Sequence, residues 1–275
     1  MANNPLQKFF RQPKIYIKLP SMGTYSKPGV LTGDSNNMPV FGMTGMDEII
    51  IKTPDALITG ESTVKVIESC CPTISDGWEV TNLDLDLILA AIRIATYGNS
   101  ITMTHTCPHC STENEYDLEL TKLIDHYNHI EFDNKAVLKD LVVKLHPLTY
   151  RQVTEFGQKN FLLRQRLSQA NDIKDDDERF KEVSKMYQEF GVLQVEVYSA
   201  NIESIEVGNS VVVERSFINE WLANTDKDII EQIRKHIDKN TELWKTPPQL
   251  VKCENCGEEN TLLVELDHSS FFAIA

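Results

Sequence analysis

Two short cysteine pairs, far apart in the sequence, constrain the fold of this chain more than any other feature. They are Cys107-Pro108-His109-Cys110 and Cys253-Glu254-Asn255-Cys256, and residues 111–252 lie between them. Each pair stands between segments in which apolar and polar residues alternate, a pattern that predicts a strand on either side of a tight turn. Two such strand–turn–strand units supply the ligand set of a structural zinc ribbon. The sequence therefore predicts a single ribbon that is split by a long insertion.

The predicted ribbon would hold one structural Zn²⁺. A tight turn aims both of its sulfurs at one point, about 2.3 Å from a shared metal. A closed shell of four thiolates leaves no position for water, so the predicted role of the metal is structural rather than catalytic. His105 precedes the first pair, His109 lies within it, and both are alternative ligands, although four sulfurs already complete the shell. The predicted ligands are Cys107, Cys110, Cys253 and Cys256.

Other interpretations of the cysteine pairs remain open from the sequence alone. The two pairs are either ligands of one metal, separate free thiols, or sites of redox chemistry. Cys107-Pro108-His109-Cys110 matches the active-site tetrapeptide of strongly oxidising periplasmic thiol oxidases. A redox pair places its first thiolate at a helix N-terminus, which lowers the thiol pKa. Residues 111–118 instead alternate like a strand, and redox chemistry would leave the second pair unexplained.

The net charge and the hydropathy pattern argue against two classes of binding partner, nucleic acids and membranes. The 275-residue chain has 27 basic and 41 acidic residues, a net charge of −14, which argues against a surface that follows nucleic acid phosphates. No apolar run approaches the roughly 20 residues that span a bilayer, and residues 1–11 lack an apolar stretch of signal-peptide length. We therefore expect protein partners, no nucleic acid and no membrane, and a reducing cytoplasm in which cysteine pairs bind metal.

Four stretches are predicted along the chain, and together they indicate an α+β fold that is mainly helical. Residues 1–46 are rich in Pro, Gly, Ser and Asn and are expected to form an extended N-terminal arm that a partner orders. Residues 47–147 are expected to hold a helical pair and the first half of the ribbon. A mainly helical insertion follows at 148–247, and residues 248–275 complete the ribbon and form a C-terminal tail.

The clearest predicted helix runs from Asn82 to Tyr97 and ends at Gly98, a typical C-terminal stop. Leu85, Ile88, Leu89 and Ile92 form its predicted buried stripe. An earlier helical pattern closes at Cys70 and Cys71, which we expect to be small buried side chains. This earlier pattern covers residues 45–71. Further helices are predicted at 120–127, 149–171, 178–199, 217–222 and 226–238, with a strand at 141–145 and a hairpin around Gly208 and Asn209.

No catalytic constellation is present in the sequence. The chain lacks H-E-x-x-H, G-x-x-x-x-G-K-[ST], G-x-S-x-G and dinucleotide-binding motifs. Asp84 and Asp86 are two residues apart on the predicted helix, so their side chains face different directions. His126 and His129 are expected on the surface. The sequence therefore predicts a protein that is not an enzyme.

A further feature is the order of short apolar and turn motifs along most of the chain. In this order they resemble the baseplate hub subunit family of T4-like contractile-tailed bacteriophages, more closely between residues 19 and 110 than in the insertion. The motifs are Leu19-Pro20-Ser21 with Gly23 and Tyr25, residues 41–48, residues 54–60, the helix with Asp84 and Asp86 leading into residues 92–98, the first cysteine pair, residues 146–150, and Phe271-Phe272.

The resemblance implies a structural or assembly role rather than catalysis. Proteins of this family are late products that help to build the hub of the tail baseplate, so the expected location is the virion tail, after assembly in the host cytoplasm. The expected partners are other baseplate hub, wedge or tail-tube proteins within a symmetric multi-subunit assembly. The alternative is a zinc-ribbon adaptor in phage transcription or replication, whose nucleic acid binding would weaken steeply with salt.

Overall fold

Helices and short antiparallel strands alternate along the chain in the computed structural model, which describes residues 4–53 and 59–262. The chain divides into two compact units. Unit 1 combines the part of the chain before Phe132 with the part from Trp244 onward, and unit 2 is Phe132–Leu243. The described residues contain no helix with the length and apolar character needed to cross a bilayer.

Unit 1 contains four helices and three antiparallel strand pairs within its described residues. The helices are α1 (Gly45–Ile51), α2 (Glu61–Cys70), α3 (Asn82–Tyr97) and α4 (Thr121–Tyr127), with short 3-10 turns at Pro5–Phe9 and Gly77–Glu79. The strand pairs are β1 (Ile15–Ile17) with β2 (Met38–Val40), β3 (Ser100–Thr106) with β4 (Glu113–Glu119), and β9 (Gln249–Lys252) with β10 (Glu259–Leu262).

Helix α3 is the centre of the unit 1 core. It has the predicted bounds, and the φ of 101° at Gly98 ends it in a conformation that glycine adopts without strain. All four residues of the predicted stripe are buried. Leu83, Leu87 and Ala91 on other faces are buried as well, and helices that are apolar all round lie in a core. Helix α2 and strands β1 and β2 contact it.

The extended arm predicted over residues 1–46 is not confirmed. Strand β1 pairs with β2, and Ile17, Leu19, Met38 and Val40 are each buried to 2% exposure or less. The backbone N–H of Ser21 donates a hydrogen bond of 2.8 Å to Oδ1 of the buried Asp84 on α3. The few apolar residues of this segment pair across a long loop, a contact that local composition does not reveal.

Unit 2 is a four-stranded antiparallel sheet with helices. Its strands, in the spatial order β5-β6-β7-β8, are β5 (Lys135–Leu138), β6 (Leu141–Leu145), β7 (Ile202–Val207) and β8 (Ser210–Val212). Its helices are α5 (Tyr150–Asn171), α6 (Asp176–Asn201), α7 (Arg215–Asn224) and α8 (Lys227–Trp244), whose last residue belongs to unit 1. The core of the sheet includes Val143, Ile205, Ile218 and Ile233, and Leu163, Met186 and Leu193 form a separate core between α5 and α6.

The fold is a mixed α/β structure, and the description "mainly helical" is not confirmed. The strand at 141–145, the hairpin around Gly208 and the first three helices of unit 2 are confirmed within two residues. The helix predicted at 226–238 continues to Trp244, and β5 was not predicted. The division of the chain at residues 46, 147 and 247 remains a prediction. Strands β5 and β6 lie before residue 147 and share a sheet with β7, which lies after it. The proposed motif residues 54–58 and Phe271-Phe272, and the tail from residue 263, lie outside the described residues.

Candidate metal centre

Both cysteine pairs lie in the turns of antiparallel hairpins, as the sequence predicts. Strand β3 pairs with β4 up to Thr106 and Glu113, and β9 pairs with β10 from Lys252 and Glu259. The N–H of Cys107 donates 2.9 Å to the carbonyl of Thr112, and the N–H of Cys253 donates 2.9 Å to the carbonyl of Glu258. The two turns therefore share one backbone pattern.

The residue after each pair takes the left-handed conformation that the turn requires. Ser111 has a φ of 57° and Gly257 a φ of 76°. The N–H of each residue donates 2.9 Å to the carbonyl of the first cysteine of its turn. Glycine adopts this conformation without strain, and serine at the equivalent position is less favoured. The repeated hydrogen bond keeps both turns tight enough to direct two sulfurs to one side.

The structure brings the four predicted ligands together. Their sulfur atoms all lie within 4.8 Å of one another. Cys107 Sγ lies 3.7 Å from Cys256 Sγ, and Cys110 Sγ lies 3.6 Å from Cys253 Sγ. Four sulfurs at about 2.3 Å from a central Zn²⁺ would be about 3.8 Å apart. All four cysteines are free, and the sulfurs of a disulfide would be only about 2.05 Å apart.

Hydrogen bonds within the cluster shift the pKa values of the Cys110 and Cys256 thiols in opposite directions. Hydrogen bonds from the hydroxyl and the backbone of Thr112 lower the pKa of Cys110 to about 5. For Cys256, the backbone N–H of Glu258 lowers the pKa, but burial and hydrogen bonding with the other three thiols raise it to about 12. The cluster therefore favours one thiolate while it keeps another sulfur protonated. A divalent cation at the centre removes this conflict, because it neutralises thiolate charge at short range.

Two buried asparagines near the sulfurs were missed by the sequence analysis. Asn114 Nδ2 lies 3.5 Å from Cys253 Sγ, and Asn260 Nδ2 lies 3.5 Å from Cys107 Sγ. Each asparagine stands seven residues after the first cysteine of its own hairpin. The shared pattern C-x-x-C-x-x-x-N was therefore visible in the sequence, as two copies with equal spacing.

The other candidate residues do not join the cluster. Among the described residues, the group that could hold a metal ion contains the four cysteines and neither His105 nor His109. Asp84 accepts hydrogen bonds from Ser21 and Thr81, whereas Asp86 accepts one from the hydroxyl of Tyr127. The two carboxylates therefore have separate partners, as their spacing predicts.

Cys70 and Cys71 are buried at the end of α2, as expected. Burial raises the pKa of Cys70 to about 12, and it raises the pKa of Cys71 further. A thiol that stays protonated is a poor nucleophile and a poor metal ligand. These two cysteines therefore belong to the core.

The donor set of the cluster fits a thiolate-binding metal ion. Four sulfurs within 4.8 Å of one another suit Zn²⁺ or an iron–sulfur centre, whereas Mg²⁺ and Ca²⁺ require oxygen ligands. Cys107 and Cys110 lie in a strand-connecting turn rather than at a helix N-terminus, which is where redox-active pairs are activated. The four cysteines thus lie close enough to bind one metal ion.

Comparison with known proteins yields one family. A family model described as T4 bacteriophage base plate protein matches residues 44–273, which is most of the chain and includes both cysteine hairpins. No curated protein and no solved structure matches the chain.

Proposed function

Since the chain belongs to the family of T4 bacteriophage base plate proteins, we propose that it is a non-catalytic structural component of the hub region of a contractile tail baseplate. The observation that carries this proposal is the family match over residues 44–273. The matched region begins at the N-cap of α1 and ends beyond β10, so it contains the cysteine centre together with all of unit 2. The description of the family names a baseplate protein without a position in the baseplate. The hub position is our more specific assignment.

The four cysteines would hold one structural Zn²⁺. Zinc bound in this way contributes on the order of 10 kcal/mol of apparent folding free energy in small domains. Cys107 and Cys110 come from the part of unit 1 before residue 132, and Cys253 and Cys256 come from the part after residue 243. The metal would therefore tie together two segments of unit 1 that the whole of unit 2 separates in sequence.

Exposed apolar side chains on unit 1 support protein partners. Leu6, Phe9 and Phe10 in the N-terminal turn are between 58% and 73% exposed. Met46 and Ile49 on α1 are 64% and 65% exposed.

The N-terminal turn is attached to the rest of unit 1 by Arg11, which donates hydrogen bonds to the carbonyls of Gly42 and Ser69. We infer that residues 4–10 contact a neighbouring hub, wedge or tail-tube subunit, because such a surface is unfavourable in water.

Label position in isolated tails tests the hub assignment. A chain that carries a small epitope tag in the turn at Gly208, a hairpin tip with open space around it, is produced during infection. Gold-labelled antibody on negatively stained tails should then mark the centre of the baseplate. Label at the periphery would contradict the hub position, and recovery of the tag with RNA polymerase or replication proteins instead of tails would favour the adaptor alternative. An untagged infection controls for antibody background.

A further inference from the structure

Each cysteine hairpin supplies a buried asparagine that contacts a sulfur of the other hairpin. Asn114 belongs to the hairpin of Cys107 but contacts Cys253, and Asn260 belongs to the hairpin of Cys253 but contacts Cys107. Both donor–sulfur distances are 3.5 Å, and both asparagines are 5% exposed. The two contacts are therefore equivalent, and an approximate two-fold relation connects the two halves of the centre.

Each buried amide is held in place by its own hairpin. Asn114 Nδ2 donates 3.0 Å to the carbonyl of Thr112, and Asn260 Nδ2 donates 3.4 Å to the carbonyl of Glu258. The second hydrogen of each amide group remains for the sulfur across the centre. Asn114 Oδ1 also accepts the backbone N–H of Glu254 at 3.0 Å, which ties it to the opposite turn as well. An NH₂ group has two hydrogens to donate, and both have partners here.

The sulfurs lie close to both ends of the amides. Cys253 Sγ is 3.6 Å from Asn114 Oδ1, and Cys107 Sγ is 3.8 Å from Asn260 Oδ1. A protonated thiol would donate to the oxygen, whereas a thiolate accepts from Nδ2–H. The same side chain can thus serve both protonation states. In a metal-bound centre all four sulfurs are thiolates, so the N–H donors are the relevant groups.

The charge around the centre explains why such donors matter. Four thiolates around one divalent cation carry a net charge of −2, and the second hairpin adds Glu254, Glu258 and Glu259. Neutral donors that point at sulfur reduce thiolate charge without adding a competing ligand.

We propose that Asn114 and Asn260 are positioning residues for the metal centre, each donating an N–H to the first thiolate of the opposite hairpin. This inference rests on the proposed metal site. These reciprocal asparagine–sulfur contacts have a structural consequence. Neither hairpin completes its own sulfur environment, so a metal ion is held tightly only when residues 107–114 and residues 253–260 have come together. Outer residues of this kind typically change metal affinity by about 10- to 100-fold when they are replaced.

The test uses Asn114→Asp and Asn260→Asp in the full chain. Aspartate keeps the shape of the side chain, but it replaces the N–H donor with a carboxylate. We expect each variant to weaken Zn²⁺ binding by about 10- to 100-fold in competition with a chromophoric chelator. After replacement of zinc by Co²⁺, the sulfur-to-cobalt charge-transfer band should move to lower energy, because the sulfurs lose a hydrogen bond. Asn114→Ala removes the donor without adding charge, and it should shift both readouts in the same direction.

Asn240→Asp is the matched control. Asn240 is a buried asparagine of unit 2, 1% exposed, whose Nδ2 donates 3.0 Å to the carbonyl of Asp133. This variant should lower the stability of unit 2 and leave the cobalt spectrum unchanged. If the wild-type chain binds metal but all three asparagine variants at the centre retain its affinity and spectrum, the positioning role is wrong and the metal site stands. If the wild-type chain binds neither Zn²⁺ nor Co²⁺, the proposed metal site itself is wrong.

Discussion

Buried and half-buried polar side chains connect distant segments of unit 1. Asp84 on α3 accepts the backbone N–H of Ser21 and the hydroxyl of Thr81. Arg11 donates to the carbonyl of Ser69 at 2.6 Å and to the carbonyl of Gly42 at 2.7 Å. Buried polar groups are costly without partners, so each of these bonds strongly favours the native arrangement of its two segments. Hydrogen bonds, as well as apolar contacts, therefore hold the N-terminal segment on α3.

The buried carboxyl of Asp84 predicts a pH dependence. Burial raises the pKa of Asp84, although the hydrogen bonds from Ser21 and Thr81 oppose the rise. A raised pKa means that the folded state binds this proton more tightly than the unfolded state. The corresponding stability is complete below the unfolded pKa, about 3.9, and is lost as the pH rises through the folded pKa.

Asp84→Asn removes this titration. We therefore expect the free energy of unfolding of the variant, relative to wild type, to increase with pH above about 4, by at most about 1.4 kcal/mol per pH unit. Urea unfolding of dilute protein at a series of pH values measures the difference. Dilution matters because the chain has its isoelectric point near 4.9. A difference that stays constant across the series would show that the buried carboxyl does not titrate in this range.

The sequence predicted the cluster of four cysteines because each pair and its flanking strands form a local pattern, and the ends of α3 were predicted for the same reason. Asn114 and Asn260 were missed because their partners are on the opposite hairpin, and a residue's distant partner is not visible in its own segment. Thr81 occupies the N-cap position of α3. Its side chain nevertheless makes no cap hydrogen bond to the helix backbone, because the hydroxyl donates to the carboxylate of Asp84.

At the scale of elements, a close backbone approach in unit 1 joins the segment after β2 to the end of α3. A Cβ placed on Gly42 would lie 2.7 Å from the carbonyl oxygen of Ala95. That distance is too short for carbon and oxygen, and a backbone oxygen cannot move as a flexible side chain can. The N–H of Met43 donates to the hydroxyl of Thr96 beside this contact. Gly42 is therefore required by the approach of the two elements.

Gly42→Ala should destabilise unit 1 by about 1–3 kcal/mol, the typical cost of overpacking a tight contact. Gly45→Ala is the matched control, since a Cβ there meets nothing within 4 Å and the residue is the first of α1. Alanine at that position should be neutral or slightly stabilising, because alanine favours helices more than glycine does. Chemical denaturation monitored by tryptophan fluorescence compares the two variants. Equal stability of both would contradict the close approach.

The elements that the sequence predicted least well are those that depend on pairing across long loops. Helices α5 and α6 and the hairpin of β7 and β8 were predicted because their apolar periodicity and turn residues lie within one segment. Strands β1 and β2 have three residues each, which is too short for a periodic signal. Residues 18–37 separate them, so their pairing is not visible within one segment. Strand β5 is only four residues long, and only its hydrogen-bonded pairing with β6 identifies it as a strand.

At the scale of the whole molecule, unit 1 is assembled from the two ends of the described chain. Its last strands, β9 and β10, follow unit 2 in sequence, and they carry the second half of the cysteine centre. Contacts between residues so distant in sequence form slowly during folding, because loop closure must precede them. A metal ion that binds both halves would stabilise the closed arrangement once it has formed. The family membership assigns this architecture to a structural protein of the phage baseplate.

The metal content of the purified full chain tests the central claim most directly. Native mass spectrometry together with elemental analysis should find one zinc ion per chain. Cys253→Ser should lose the metal and destabilise unit 1, whereas Cys71→Ser, at a buried cysteine outside the cluster, should keep the metal. A folded wild-type chain without metal, or a Cys253→Ser variant that retains zinc, would contradict a structural four-sulfur centre.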